Sequence, residues 1–303
     1  MKYILIVFVL LSNIIAAEKT TGSINKINAG TINTLLIFTS QEGLNSGTYK
    51  FTNTPIDINM EIYHLPFTYN FSSDSNLNYF LVGNVGYSRV FIDGSEGNIP
   101  PTSDLNYLNH IRTYTAGIGG GVCYKLQDIA LSGGMEFIYS NAGISIKDEG
   151  GPVSDFFNEN YTDNITYKFF TLLEYRPIIN EFKPYATLAY KLYETKSDFS
   201  TNDIVSFTSE SSVTTLSLGI ESPKLYSFGA QNITLEGYIN VNYLSGVVSE
   251  VVNFDLYRSI GGVIYYNTPK SPWWASRFFI EGNDVRSNGL NGYNFGIGFT
   301  IDF

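Results

Sequence analysis

The chain has 303 residues, of which only 15% are charged and 16% are aromatic, and its formal net charge is −10. No apolar run reaches the roughly 18 residues of a membrane-spanning helix, which excludes a helical membrane bundle. The aromatic content excludes a disordered chain. The acidic balance excludes a nucleic-acid-binding protein, which needs a basic surface. An all-β protein is the class that remains.

The N-terminus has the pattern of a secretory signal peptide. Lys2 provides the positive start, Tyr3–Leu11 form an apolar run, and Ala17 ends the segment with a small residue. The run is too short to span a membrane as a helix. We therefore expect residues 1–17 to be removed on export, so that the mature chain begins at Glu18. The lone Cys123 excludes an N-terminal lipid-modified cysteine and an intramolecular disulfide.

Apolar and polar residues alternate with a period of two along much of the remaining chain, which is the pattern of strands with two different faces. Twelve segments show it, an even number as in bacterial single-chain barrels. The predicted strands are residues 31–39, 55–71, 77–93, 110–126, 128–146, 164–178, 183–196, 210–221, 227–246, 252–267, 273–286 and 292–303.

The second predicted strand changes the face that carries its apolar residues. The apolar positions in residues 58–62 share one face, whereas those in residues 65–71 share the other. Pro66 cannot donate a ladder hydrogen bond. The pattern therefore predicts a β-bulge at His64-Leu65-Pro66.

Connections of alternating length are expected in a barrel with short periplasmic turns and longer external loops. The predicted short turns are residues 72–76, 127–128, 179–182, 222–225 and 267–272. The predicted long loops are residues 40–54, 94–109, 147–163, 197–209 and 247–251. Residues 287–290 break the rule, because they form a short turn on the external side. The even strand number returns the N-terminus to the periplasm.

No motif predicts catalysis, a cofactor or a metal. Neither His64 nor His110 belongs to a His-x-Ser pair of a hydrolase site, and the nearness of Asp93 and Asp104 to His110 in the sequence is interpreted as chance. Gly117–Gly121 fail the dinucleotide motif because Val122 follows them inside a strand. The acidic residues 147–163 do not have the spacing of a calcium loop. We expect no catalytic, cofactor-binding or metal-binding residue.

Small and charged residues occupy the face predicted to line the lumen. Gly117, Gly119 and Gly121 are expected to leave room there, and Cys123 is expected to be one more small residue. The charged residues on this inner face form either a network that stiffens the wall or a selective water-filled path. The predicted inward charged residues are Glu136, Lys168, Glu174, Glu236, Arg277 and Glu281. The same alternation of strand faces predicts that Arg258 is on the side that faces lipid.

The last strand has the sharpest alternation. Its apolar face carries Tyr293, Phe295, Ile297, Phe299, Ile301 and Phe303. An exported chain with such an end resembles a bacterial outer-membrane β-barrel, in which the terminal phenylalanine strand is the assembly signal. The resemblance implies contact with outer-membrane lipid and with the barrel-assembly machinery. The residues that it assigns to the signal are Tyr293, Phe295, Phe299 and Phe303.

Within this class, the chain resembles autotransporter-like translocator domains, which have twelve strands and a similar length. Phe182-Lys183-Pro184-Tyr185-Ala186 is similar to the start of many of their strands. The resemblance covers about residues 30–303. Only residues 18–30 separate the signal peptide from the first predicted strand, so we expect no passenger. This polar segment is expected either in the lumen or as a free periplasmic tail.

Two functions remain open for this predicted outer-membrane protein. One is a structural or surface-interaction barrel whose lumen is narrow or plugged. The other is a porin-like channel for small solutes. An enzyme is not expected. The ligand and the oligomeric state do not follow from the sequence.

Overall fold

The computed structural model describes residues 33–34, 36–38, 46–52, 57–71, 76–93, 108–147, 161–199, 207–268 and 277–300. The predictions for residues 1–17 and 18–30 and for Phe303 lie outside the described residues, and so do those for most of residues 94–109 and 147–163.

Among the described residues, thirteen strands follow one another along the chain, and a short helix lies between the tenth and the eleventh strand. The strands are β1 (Ser46–Phe51), β2 (Asp57–Phe71), β3 (Leu77–Asp93), β4 (Leu108–Leu126), β5 (Ile129–Lys147), β6 (Tyr161–Tyr175), β7 (Lys183–Phe199), β8 (Phe207–Glu221), β9 (Tyr226–Phe228), β10 (Gln231–Gly246), β11 (Leu256–Asn267), β12 (Arg277–Ser287) and β13 (Leu290–Thr300). The helix is α1 (Val247–Val252).

These strands form one closed antiparallel sheet. Each pairs with its neighbours in sequence, and β1 pairs with β13 from Ser46 opposite Phe295 to Phe51 opposite Leu290. Both β8 and the short β9 pair with β10, so together they occupy one place in the wall. The result is a barrel of twelve strand positions, as the sequence predicts. Closure pairs both edges of the sheet, which a barrel in lipid requires.

The exterior of the barrel is apolar. On β13, Tyr293, Phe295, Ile297 and Phe299 are between 49% and 64% exposed. The alternate residues of the same strand face inward, and Asn294 among them is buried. This inverts the arrangement of a water-soluble protein, because here lipid rather than water surrounds the wall. The twelve strand positions are therefore transmembrane.

The two ends of the barrel differ in their connections. At the end that we call the turn end, the strands are joined through residues 72–76, 127–128, 176–182, 229–230 and 268–276. At the opposite end, the loop end, they are joined through residues 52–56, 94–107, 148–160, 200–206 and 247–255, and by the tight turn at residues 288–289. The longest connections, residues 94–107 and 148–160, are at the loop end as predicted, but the alternation is incomplete. Residues 52–56 are no longer than residues 72–76, and residues 268–276 are as long as residues 247–255.

One predicted turn is wrong. Residues 222–225 do not reverse the chain, because the backbone N–H groups of Ser222 and Leu225 still donate to β10 at 2.7 and 2.9 Å. The strand position continues through β9, and the chain reverses after Phe228. Gly229 has a φ of 63° there, which glycine adopts without steric cost.

The predicted first strand is also wrong. Residues 33–34 and 36–38 are helical and buried, and we call them the inner segment. The first strand is β1, which lies within the predicted loop at residues 40–54. The apolar run at residues 31–39 is too short for its period to separate a strand from a buried helix.

The predicted bulge in β2 does not occur. Its pairing with β3 runs without interruption from Asp57 opposite Asp93 to Phe71 opposite Tyr79. Met60 and Ile62 are apolar and face inward, where they are 1% and 3% exposed. The apolar face changes because the inside of the barrel is itself apolar at this level, while the backbone register stays the same.

The helix α1 lies at the loop end and turns its apolar side into the barrel. Val247 and Val248 are completely buried. Asn253 ends the helix in the left-handed conformation. Among the described residues, no helix is long and apolar enough to cross a bilayer.

Candidate functional site: the barrel lumen

An apolar cluster fills the lumen near the loop end. Phe38 of the inner segment contacts Tyr49 of β1 edge to face at 4.7 Å between ring centroids, and it stacks on Tyr257 of β11 at 5.4 Å. The wall and α1 supply the other members. The buried residues of the cluster are Ile37, Phe38, Tyr49, Phe51, Met60, Ile62, Val90, Tyr193, Val213, Leu244, Val248, Val252, Tyr257, Val285 and Leu290. This part of the lumen is packed like the core of a soluble domain.

The polar side of the inner segment is anchored to the wall through Asn33. Its Nδ2 donates to Ser209 Oγ at 2.8 Å and to Ser211 Oγ at 3.1 Å, both on β8. Thr195 of β7 donates from Oγ1 to Asn33 Oδ1 at 2.8 Å. Both amide hydrogens and the amide oxygen of this fully buried side chain are thereby satisfied.

A charged group lies on the inner face of the middle strands. Lys168 of β6 donates from Nζ to Glu136 Oε2 on β5 at 2.9 Å. Asn84 of β3 donates from Nδ2 to the other oxygen of the same carboxylate. The three side chains are buried. Because the carboxylate receives a partner on each oxygen, its charge is balanced inside the wall.

The inward-facing glycines of β4 and β5 are covered by larger side chains. A Cβ on Gly117 would meet Asn84 and Glu136, and one on Gly121 would lie 2.6 Å from Phe80. Gly134 is likewise covered by Phe170. Directly over Gly117, Gly121 and Gly134 the space holds side chains from neighbouring strands, whereas open space remains beside Cys123 and Ser132 on the same inner face.

A cavity lies next to this group, between the inner faces of β2 to β7. It measures about 220 Å³, and its lining includes His64, Pro66, Cys123, Lys168 and Lys191. Cys123 is half-buried, so it is one small lining residue among others. Among the described residues, no three His, Cys, Asp or Glu side chains come together as a metal site.

A second charged group surrounds Glu221 near the turn end. Its Oε1 accepts from Arg277 at 2.7 Å, from Lys183 at 3.0 Å and from Thr234 at 3.2 Å. Arg176 lies 4.0 Å from Oε2. The Glu221 side chain is only 1% exposed. Three cations around one buried carboxylate join the strands β7, β8 and β12 and the end of β6.

Aromatic side chains extend this second group around the lumen. Tyr185 and Tyr265 donate to the two oxygens of Glu236 at 2.7 and 3.1 Å. An arginine guanidinium also lies over each of these rings. The Arg176 guanidinium is 4.5 Å from the Tyr185 ring centre, and that of Arg277 is 3.9 Å from the Tyr265 ring centre. Cation–π contacts of this kind hold the planar groups in place.

A chain of hydrogen bonds crosses the strand pair that closes the barrel. Tyr238 of β10 donates to Glu281 of β12 and accepts from Asn283 Nδ2 at 2.9 Å. Asn283 in turn accepts from Asn294 of β13 at 2.7 Å. Asn294 accepts from Tyr49 of β1 at 2.5 Å. The chain therefore links β10, β12, β13 and β1.

The predicted charged residues have different partners. Glu136 and Lys168 meet each other, and Arg277 meets Glu221. Glu174 lies 3.5 Å from Arg176 at a part-exposed position. The other two acids, Glu236 and Glu281, accept from tyrosines. The sequence reasoning missed Asn84, Lys183, Glu221, Tyr238 and Asn294, although strand parity alone would have placed them inward.

The lumen and the exterior together define the class of protein: a transmembrane β-barrel with an apolar, aromatic outer surface and a polar, internally paired inner wall. No family model matches the sequence, and a search of curated protein sequences finds no match.

Solved structures with a similar fold do exist, and they are translocator domains of autotransporters. The NalP domain of Neisseria meningitidis covers 91% of this chain and 95% of its own, with a TM-score of 0.61 and 9% identity. The β domain of Bordetella BrkA covers 86% and 99%, with a TM-score of 0.57 and 11% identity. The transport unit of Escherichia coli AIDA-I covers 92% and 99%, with a TM-score of 0.55 and 10% identity. This chain has the fold of an autotransporter translocator domain.

Proposed function

We propose that this protein is an outer-membrane barrel of structural or surface-interaction character, whose lumen is closed by its own chain. Its working surface is then the loop end, while the barrel anchors that surface in the membrane. The observation that carries the proposal is the apolar cluster around the inner segment.

A path for ions or small solutes needs water along its whole length. Ile37 and Phe38 are each 3% exposed, and Val247 and Val248 are fully buried beside them. Hydrophobic constrictions stop conduction because water leaves them. A packed cluster at this level therefore supports a closed lumen.

The charged residues of the lumen support the same proposal. A selective path presents charges to passing solutes, whereas Glu136 and Glu221 are 3% and 1% exposed and are paired with cations of the wall. Paired charges of this kind tie neighbouring strands together. These paired charges favour a network that stiffens the wall over a selective water-filled path.

Conductance in planar bilayers tests the proposal. Refolded wild-type protein should show no steady channel current. The double variant Ile37→Ser/Phe38→Ser introduces hydroxyl groups into the cluster and removes the two apolar side chains that the inner segment contributes to it, so it should conduct. The strand pairings that close the wall do not include these two residues, and the heat-modifiable band on cold gels should show that the variant barrel still folds.

A matched control makes the same chemical change outside the lumen. Leu225 and Phe228 are 56% and 54% exposed at the turn end. The variant Leu225→Ser/Phe228→Ser should remain as silent as the wild type. Steady, solute-sized conductance of the wild type would instead favour the porin-like channel. Silence of a folded Ile37→Ser/Phe38→Ser variant would show that the apolar cluster is not what closes the lumen.

A further inference from the structure

Four of the six arginines of the chain form two cross-strand pairs near the loop end. Arg89 of β3 lies directly opposite Arg112 of β4. On the other side of the closing strands, Arg258 of β11 lies directly opposite Arg286 of β12. The two remaining arginines belong to the group around Glu221.

Both pairs belong to the outer surface of the barrel. Arg112 shares its strand face with Tyr114, which is 59% exposed, and Arg258 shares its face with Ile260, which is 57% exposed. The residues between them, such as Thr113 and Ser259, are buried on the inner side. The four guanidinium groups thus project from the side of the wall that faces lipid.

Lys50 lies between the two arginine pairs on the outer surface of the wall. Arg286 lies opposite Asn291 of β13, which lies opposite the exposed Lys50 of β1. We call Lys50, Arg89, Arg112, Arg258 and Arg286 the basic arc, which extends over the seven consecutive positions from β11 through β13 and β1 to β4. Two acidic residues lie next to the basic arc. Glu61 of β2 is directly opposite Arg89, and Asp284 of β12 pairs with Arg286 at 2.7 Å.

Direct cross-strand pairs of like charge are unfavourable, because the two Cβ atoms are only about 5 Å apart. Glu61 lies opposite Arg89 and Asp284 pairs with Arg286, whereas Arg112 and Arg258 form no ion pair among the described residues. A bound anion would therefore neutralise the uncompensated arginine of each pair. The Nε of Arg89 is buried without a hydrogen-bond partner among the described residues, so the terminal nitrogens of the guanidinium are the donors that can reach a lipid phosphate. The Arg89 guanidinium lies 5.1 Å from the ring centre of Phe91, which holds it in place.

The position of the arc relative to the membrane follows from a row of tyrosines. Tyr63, Tyr87 and Tyr114 form a ladder across β2, β3 and β4, with ring centroids 6.3 and 5.1 Å apart. Arg89 and Arg112 are the next outward residues toward the loop end. Tyrosines of barrels gather where hydrocarbon meets the headgroups. The arginines directly above them are therefore at headgroup level.

The arc is a local feature of an acidic protein. On the opposite side of the barrel, Glu194 of β7 lies directly opposite Glu210 of β8 near the same end. The net charge of the chain is −10. A general excess of basic residues at this end does not account for the paired arginines.

We infer that the basic arc binds the phosphate groups of lipids in the leaflet around the loop end. The planar guanidinium forms bidentate hydrogen bonds with phosphate oxygens, and a pair of arginines offers two such forks to one phosphate. Lipid rather than free phosphate is the ligand, because the site faces the bilayer and stands on a row of membrane-boundary tyrosines.

Native mass spectrometry of the refolded full chain in detergent tests this inference. The probes are phosphatidic acid, phosphatidylcholine and inorganic phosphate. The wild type should retain phosphatidic acid in preference to phosphatidylcholine, and inorganic phosphate at equal concentration should not displace it. Each double variant, Arg89→Gln/Arg112→Gln and Arg258→Gln/Arg286→Gln, should bind phosphatidic acid roughly tenfold more weakly, as expected from the loss of charge-assisted hydrogen bonds.

The control variant Lys125→Gln/Lys224→Gln removes two exposed positive charges at the turn end and should bind like the wild type. Equal weakening in this control would overturn the inference, because net charge and not the arc would then set the affinity. Unchanged binding in both arginine variants would also overturn it. Displacement by inorganic phosphate would assign the arc to a soluble anion. Heat-modifiability of each variant shows that the barrel is folded when it is measured.

Discussion

Glu136 on β5 and Lys168 on β6 are direct neighbours across the sheet, and their side chains form an ion pair inside the barrel while only 3% and 8% exposed. A pair so deeply buried is costly to break, because the remaining charge stays in a poorly hydrated place. Asn84, which donates to the same carboxylate, would lose its charged acceptor as well.

The substitution Glu136→Gln should therefore reduce the free energy of unfolding by about 3–5 kcal/mol, the cost of leaving one buried charge without its partner. Urea unfolding of the refolded barrel measures it. The control is Glu194→Gln, since Glu194 and Lys196 are 45% and 60% exposed and 4.0 Å apart. An exposed pair contributes only about 0–1 kcal/mol. Equal effects of the two changes would show that the inner pair is as hydrated as the outer one.

Gly119 of β4 lies close to the backbone of β5. A Cβ there would lie 2.2 Å from the carbonyl oxygen of Met135, so the backbone would have to move. Gly119→Ala should cost about 1–3 kcal/mol, as overpacking of a tight site does. Gly237→Ala is the matched control, because no atom lies within 4 Å of the added methyl. Thermal unfolding of the two variants should separate them, and identical midpoints would contradict the close approach.

The terminal strand should act as the assembly signal through Phe303. Phe303→Asp places a charge at the end of the strand that closes the barrel and should lower the amount of heat-modifiable protein in outer-membrane fractions. Phe228→Asp adds the same charge to an exposed hairpin at the turn end and should have a smaller effect. If the two variants accumulate equally, the terminal phenylalanine has no special role in assembly.

Export should remove residues 1–17. N-terminal sequencing of membrane-extracted protein should begin at Glu18, because signal peptidase requires a small residue before the cut. Ala17→Phe should leave the leader in place, whereas Ala16→Leu, one position further back, should still be cleaved. An intact Lys2 on the wild-type protein would refute this prediction.

If residues 18–28 lie in the lumen, deleting them should raise the conductance of the Ile37→Ser/Phe38→Ser variant, because the apolar cluster still closes the wild-type barrel when only this stretch is removed. The anchor of Asn33 to Ser209 and Thr195 remains in the deletion variant. Deleting residues 149–159, a stretch of equal length between β5 and β6, is the control and should leave the current unchanged. Equal currents from the Ile37→Ser/Phe38→Ser variant with and without residues 18–28 would place these residues outside the conducting path.

The wall of the barrel could be predicted because each strand separates two different surroundings. Tyr293, Phe295, Ile297 and Phe299 alternate with small or polar residues, and this contrast is local to the strand. The prediction failed where the contrast is missing. Met60 and Ile62 are apolar on the inner face, so parity alone suggested a bulge where the structure has a regular strand.

The inner segment shows why a short apolar run is ambiguous. Residues 31–39 fit a strand of the wall as well as they fit a helix inside it. The choice depends on whether the wall can close without them. It can, because β1 begins at Ser46 and pairs with both β2 and β13.

The sequence by itself determined the class of protein and most of the strands and lipid-facing residues, since these depend on alternation within single strands. The predicted total of twelve agreed with the structure because residues 31–39 were counted in place of β1. Only the tertiary structure decided what fills the lumen and which inward charges pair. Glu221 meets Arg277, far away along the chain, because the strands meet in a closed ring. The basic arc likewise exists only through the registers of β3 with β4 and of β11 with β12. Registers between strands are set by packing and closure of the whole barrel, and no single strand contains them.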